Sequence, residues 1–343
     1  MNRKSKNKKL WIVFLGLFFI ILLTMLTRSF YTVTLQRSYG TFLEEEKQAH
    51  YVMILENSDS IFWNSVYESA KEEAKKQNIL LELSETEGIN YSKIERMEMS
   101  IAAKVDGIIL EYEGEKELDV MIQKAKKQSI PVVTISSDGC KVGAVSFVGV
   151  NRYQLAKTYG EEILKIVDKH TKKILVLTHG KEVSKEEEQL YNQINNILSK
   201  QRFLKGGNLH QIQVETKPIS LKKVFEVEEE IWTLFQQEER IPDILVCLNE
   251  IDTECAYQAL INYNLVGKVK IIGYYYTPSI LNGMAEGILP ATMNLDTKQL
   301  GKYSILALLE YQKDGYTNAF YSVDLNVIDE KKAKEMLENG KNK

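Results

Sequence analysis

From His50 onward, apolar positions follow two alternating rules. Short, nearly continuous apolar runs give way to longer segments in which apolar residues recur every three or four positions. The stretch Val105–Asp138 shows both: the runs Gly107–Leu110 and Pro131–Ile135 flank a segment with Leu118, Met121, Ile122 and Ala125 on one helical face. Two buried strands joined by an amphipathic helix make a βαβ unit, whose crossover is right-handed. Repeated along the chain, this alternation predicts a parallel sheet covered by helices on both faces. Ligands on such sheets bind beyond the carboxyl ends of the strands, here Glu111–Gly114 and Ser136–Asp138.

Taken in order, strand Tyr51–Leu55 leads through ENSDSIFW into a helix with Phe62, Val66, Ala70 and Ala74 on its inner face. Asp59 or Ser60 suits the N-cap, which aims the helix amides and the pair Phe62–Trp63 at one crevice. Strand Ile79–Leu83, a helix carrying Ile94, Met97 and Ile101, the βαβ unit and strand Val145–Gly149 complete a first set. A second set has strands at Lys173–Thr178, Gln211–Thr216, Asp243–Leu248, Val269–Gly273 and Leu289–Met293. Its helices carry Leu155, Tyr159, Ile163 and Ile166, then Val224, Val227, Ile231 and Leu234. A helix with Leu300, Ile305, Leu306 and Leu309 is expected to return to the first lobe; Phe320–Ile328 is the final strand and 329–343 a charged, exposed tail.

The N-terminus obeys neither rule. Residues 1–9 are strongly basic, and Leu10–Thr27 is an apolar run of 18 residues without a charge. At about 1.5 Å per residue it spans roughly 27 Å, close to the hydrocarbon thickness of a bilayer. The basic flank keeps 1–9 cytoplasmic and places everything after Arg28 outside the membrane. A cleaved signal peptide is the competing reading. No A-x-A pattern follows the run and no cysteine precedes Cys140, so an uncleaved transmembrane anchor is expected, with 28–49 as a juxtamembrane stalk.

Charge and composition narrow the function. A net charge of −3 argues against nucleic acid as a partner. The three cysteines, Cys140, Cys247 and Cys255, contain no C-x-x-C and imply neither a metal framework nor a disulfide scaffold. Cys247 lies in an apolar run and reads as a core residue. The four histidines have no ligand spacing, and no G-x-S-x-G, P-loop or HExxH motif occurs. No catalytic residue, metal or cofactor is assigned, and the chain is read as a binding protein rather than an enzyme.

The words DGII and IPVV within this strand–helix repeat, together with the motifs below, resemble the type I periplasmic-binding-protein-like domains of the sugar-binding class, from about Tyr51 to Val327. The resemblance implies an α/β fold of two Rossmann-like lobes with parallel sheets joined by a hinge, here preceded by one N-terminal transmembrane helix. VGVNRYQLAK resembles the family's first hinge, with Gly149, Asn151 and Tyr153 in place, and ATMNLD resembles the second. The lobes are then 50–150 with 296–318, and 151–295 with 319–328. The same fold forms the effector domain of lactose-repressor-like regulators, but an apolar segment stands where those carry a helix-turn-helix.

The resemblance also implies a ligand set: Asp59, Ser60, Phe62, Trp63, Ser136, Asp138, Asn151, Asn249, Tyr275 and Leu295. A carboxamide such as Asn249 both donates and accepts, which suits a hydroxyl-rich ligand, with helix capping as its plainer role. Several positions depart from the family. Ser136 and Tyr275 replace aspartates, Leu295 replaces a glutamine, and an expected arginine is not evident in SKEEEQLYNQINN. Losing buried hydrogen-bonding groups changes selectivity by orders of magnitude. The expected ligand is therefore sugar-like but not a pentose or hexose gripped in the usual way; the alternative is a degenerate interaction or sensor module. An ABC permease or a histidine kinase is the expected membrane partner, with tethering favouring the kinase.

Overall fold

The computed structural model describes residues 22–25, 27–28, 48–56, 58, 60–84, 91–136, 138–179, 185–204, 212–219, 224–237, 239 and 241–341. The chain divides into two compact units, Met1–Gln48 and Ala49–Lys343. In the first, residues 22–25 and 27–28 are helical; most of the expected anchor and stalk lies outside the described residues. No helix among the described residues is long and apolar enough to cross a membrane.

The second unit holds two six-stranded sheets. The first is built from β1 (Ala49–Ile54), β2 (Ile79–Leu83), β3 (Gly107–Tyr112), β4 (Val132–Ser136), β5 (Ser146–Gly149) and β11 (Phe320–Ser322), in the order β11-β5-β4-β3-β1-β2. All its pairings are parallel. The second repeats the plan: β6 (Lys173–His179), β7 (Gln213–Ile219), β8 (Ile244–Val246), β9 (Lys270–Tyr274), β10 (Ala291–Leu295) and β12 (Leu325–Asp329), in the order β12-β10-β9-β8-β6-β7. Only β12 is antiparallel to its neighbour. It follows β11 after only Val323 and Asp324, so it enters the second sheet from the side where β11 leaves the first, against the direction of the other strands.

Ten helices follow the strands in the described part of this unit: α1 (Ile61–Lys76), α2 (Lys93–Ala102), α3 (Lys116–Lys127), α4 (Arg152–Ile166), α5 (Lys185–Leu204), α6 (Val224–Gln236), α7 (Glu250–Asn262), α8 (Pro278–Ala285), α9 (Thr297–Asp314) and α10 (Glu330–Lys341). α1 buries Phe62, Val66, Ala70 and Ala74 as their spacing predicts. α9 returns to the first lobe, and its buried face is Leu300, Ile305, Ala307 and Leu308, so Leu306 and Leu309 are only half-buried. α1 and α9 meet so closely at Gly301 that a Cβ there would stand 2.3 Å from the Val66 carbonyl. Cys247 is fully buried in the second lobe's core.

Two expectations at the C-terminus need correction. The stretch 319–328 is not one strand of the second lobe: Phe320–Ser322 pairs with β5 in the first sheet, and only Leu325–Asp329 joins the second. Nor is 329–343 an exposed tail, because α10 buries Ala333 completely and sets Met336 and Leu337 against the second lobe's core.

The chain thus passes between lobes three times, at Val150–Asn151, at Asp296 and at Val323–Asp324. The crossings are tied to one another. Val323 N–H donates to the Gly149 carbonyl (2.9 Å) and Asp296 N–H to the Asp324 carbonyl (3.0 Å). Gln299 holds Asp324 from both sides, donating to its carboxylate (2.7 Å) and accepting from its N–H (2.9 Å). This narrow, hydrogen-bonded ribbon is suited to hinge bending, in which a few residues at element ends absorb the change.

Candidate ligand cleft between the lobes

In the first lobe, β1 ends at the loop that feeds α1. Ser60 caps the helix, its Oγ accepting from Trp63 N–H at 3.1 Å. That cap presents the first α1 amides, which have no intrahelical partner, to the cleft. In the second lobe, the chain after β8 reaches Asn249, whose carboxamide oxygen accepts from Asp252 N–H (2.7 Å) and caps α7. Glu250 is then the first residue of α7, and it reaches across to the other lobe.

The Glu250 carboxylate accepts from Phe62 N–H at 3.0 Å and lies close to the Ser60 side chain and Ile61 N–H. Two forces oppose each other at this carboxyl. Burial raises its pKa, while the polar groups at the start of α1 lower it; burial prevails and the pKa lies above the ordinary value. Beside it runs an aromatic seam. Phe62, 5% exposed, meets Trp63 (ring centroids 4.8 Å), Tyr275 (4.9 Å) and Tyr274 (5.8 Å) edge-on, and Tyr275 stacks on Tyr276 (5.0 Å). Such edge-to-face pairs add about 0.5–1.5 kcal/mol each beyond burial. Tyr275 and Leu295, both from the second sheet's strand ends, are buried in the same apolar cluster as Phe62, Val66 and Leu300 of the first lobe.

Ser136 and Tyr275 share an unusual backbone. Each lies at the carboxyl end of a strand, β4 and β9, which hold the same place in the two sheets, and their φ angles are +75° and +61°. A left-handed conformation costs a residue with a Cβ roughly 1–2 kcal/mol, and Asp or Asn bears it more easily than Tyr. The departures from aspartate therefore fall at two strained, cleft-side positions.

Further along the first lobe's strand ends, charge is concentrated. Glu111 is 7% exposed, accepts from Glu56 N–H (2.6 Å), and its pKa is pushed up to about 7. Burial is the main cause; Lys93 opposes it and Glu113 reinforces it. Lys93 is partly buried, with Nζ 2.5 Å from Glu115 and 3.6 Å from Glu56. Burial works against its charge, but the surrounding carboxylates of Glu111, Glu115, Glu113 and Glu56 hold its pKa above the usual lysine range. The Tyr274 hydroxyl is also raised, by burial first and then by Glu113, with Arg152 opposing.

The sequence-predicted residues divide accordingly. Ser60, Phe62, Trp63, Tyr275 and Leu295 come together, with Asn249 adjacent through Glu250. Asp59 lies outside the described residues. Asn151 is exposed and caps α4, accepting from Tyr153 N–H (2.9 Å) and Gln154 N–H (3.3 Å). Ser136 and Asp138 are exposed, and Asp138 accepts from Cys140 N–H at 2.8 Å. Glu250, Tyr274 and Tyr276 were missed as site residues. The signal for Glu250 was its place just after a strand-end Asn, at the start of a helix facing the cleft.

A family model described as a periplasmic binding protein domain matches residues 51–316. No curated protein sequence matches the chain significantly. Among solved structures, the chain is similar to GanP, a glucose-galactose binding protein from Geobacillus stearothermophilus (20% identity, TM-score 0.71, covering 83% of this chain and 98% of that one). It is similar to the structure of a XylFII–LytSN complex (21% identity, TM-score 0.68, 83% and 99%). A third is an ABC transporter solute binding protein from Bacillus halodurans C-125 with bound myo-inositol (18% identity, TM-score 0.68, 84% and 97%). At such identities these structures establish the fold alone. With two α/β lobes, three hinge crossings and a family match over most of its length, the chain belongs to the periplasmic binding protein domain family.

Proposed function

We propose that the two-lobe unit captures a small, sugar-like ligand in the cleft between its sheets and is held outside the cell membrane by the apolar segment Leu10–Thr27. The observation that carries this reading is the convergence of two helix N-termini and an aromatic seam at the strand ends of both lobes, beside a three-crossing hinge. Helix-end amides, Ser60 and Asn249 supply directional hydrogen bonds; Trp63 supplies a flat apolar face for a ring. Hinge closure would couple ligand affinity to the population of the closed state.

Tyr275 and Leu295 stand where polar groups would grip hydroxyls, and both are buried against the first lobe. The ligand class this favours is larger, more aromatic or less hydroxylated than a simple pentose or hexose. The closed unit would then act on an ABC permease or a sensor kinase, and tethering favours the sensor.

A second reading has a specific observation behind it. Glu250 and the Tyr274–Tyr276 run fill the cleft with the protein's own groups, as in a module that signals without a small ligand. Thermal melting of the full chain in detergent, against mono- and oligosaccharides, polyols and nucleosides, separates the two. A ligand at 100-fold its dissociation constant adds about 2.7 kcal/mol and raises the melting temperature by several degrees. A shift with one compound class supports capture; a flat panel in a cooperatively melting protein refutes it.

A further inference from the structure

We propose that Glu250 is a built-in latch: its carboxylate bridges the N-termini of α1 and α7 and holds the two lobes closed in the absence of any ligand. This deepens, and rests on, the reading of the cleft as the ligand site, because it states how that site is regulated.

Closing the cleft brings the starts of two helices together, α1 from one lobe and α7 from the other. Each helix start carries unpaired amide N–H groups and a partial positive charge of roughly half a unit. Two such ends repel unless an anion lies between them. Glu250 supplies it from inside the chain. As the first residue of α7 its carboxylate lies near that helix's positive end, and it accepts from Phe62 N–H (3.0 Å) at the start of α1, close to Ser60 and Ile61 N–H. Ser60 Oγ accepts from Trp63 N–H and so fixes the start of α1 beside the carboxylate. The latch residue is buried, so its hydrogen bonds are not shared with bulk water.

The contact joins residues 188 positions apart on different lobes, and only cleft closure can form it. Opening leaves Glu250 with α7 alone and exposes the α1 amides. Phe62 reinforces the closed state through its edge contacts with Tyr274 and Tyr275. A ligand must therefore displace Glu250 from the start of α1 or be enclosed beside it. In either case the closed population is set before the ligand arrives, and its apparent affinity is reduced by the fraction of molecules that are open.

The test is a distance measurement by pulsed electron paramagnetic resonance on the full chain in detergent, without added ligand. Spin labels go on Glu117→Cys in α3 and Asn282→Cys in α8, both exposed, in a Cys140→Ser background; Cys247 and Cys255 are buried. The latched protein should give one narrow distance. Glu250→Ala should move the distribution to longer, broader distances, with the closed-to-open ratio falling on the order of tenfold or more for the loss of charge-assisted hydrogen bonds. Glu250→Gln keeps the shape and the helix start, so it should shift the same way by less and serves if the alanine variant does not melt cooperatively. Distributions unchanged from the parent in both variants would overturn the latch. The capture reading fails separately: if the variants open but the parent binds no panel compound, the latch stands and small-ligand capture is refuted.

Discussion

Replacing Glu111 by glutamine should make the protein more stable at pH 8 and have a much smaller effect at pH 5. The Glu111 carboxyl ends β3 in a buried position, held by Glu56 N–H at 2.6 Å, and its pKa is pushed from the ordinary 4.5 up to about 7. A raised pKa means that the folded state binds the proton more tightly than the unfolded state. The associated stability is thus fully present below the unfolded value, near pH 4.5, and is lost as pH rises through about 7. The rise of about two and a half units, at 1.36 kcal/mol per unit, corresponds to roughly 3 kcal/mol between pH 4.5 and pH 8.

Glutamine retains an oxygen for Glu56 N–H and carries no charge to bury. Lys93 keeps its ion pairs with Glu115 and Glu56, so the lysine is not stranded. The carboxamide still places an NH2 group beside that ammonium, so roughly 3 kcal/mol is an upper bound for the gain. Urea unfolding of the parent and Glu111→Gln at pH 5, 6, 7 and 8 measures the difference at each pH, which cancels other titrating groups. The difference should grow steadily from about 1 kcal/mol or less at pH 5 and level off above pH 7.5. A difference independent of pH, or a variant less stable at pH 8, would refute the reasoning.

Gly301→Ala should destabilise the first lobe by about 1–3 kcal/mol, seen in the same urea assay, since its Cβ would meet the Val66 carbonyl at 2.3 Å and push α1 off α9. Tyr275→Gly should be about 1 kcal/mol more stable than Tyr275→Ala, because both lose the ring but only glycine relieves the φ of +61°. Asn249→Ala should cost about 1 kcal/mol in thermal melting from loss of the α7 cap alone, before any ligand is added.

The fold was legible wherever an apolar run is bounded by turns. Ile79–Leu83, an edge strand, has the predicted limits, and the βαβ unit from Val105 has its helix on the predicted face. Legibility fell where strands are short. Of the run Asp243–Leu248 only Ile244–Val246 pairs, because the residues after it turn to place Asn249 and Glu250 at the cleft. Phe320–Ile328 reads as one strand since nothing local marks Val323–Asp324 as a change of sheet; that is decided by the neighbours β5 and β10. The spacing of Ala333, Met336 and Leu337 was a helical stripe available in the sequence and hidden under a charged composition. In the site, the Ser60–Trp63 cap and aromatic pair follow from local chemistry, whereas the Glu250–Phe62 contact spans 188 positions and no local pattern encodes it. Phe62 and Tyr275 each carry an aromatic identity equally suited to core or ligand; only their mutual packing decides where the rings lie.

The central claim is that a small molecule is enclosed between the lobes against Trp63. Calorimetric titration of the full chain and of Trp63→Ala, in parallel, with the panel compound that most raises the melting temperature tests it most directly. The account predicts saturable one-to-one binding that weakens at least tenfold, about 1.4 kcal/mol, in the variant while its melting stays cooperative. Undiminished binding by Trp63→Ala, or no binding of any panel compound to the parent, would contradict it.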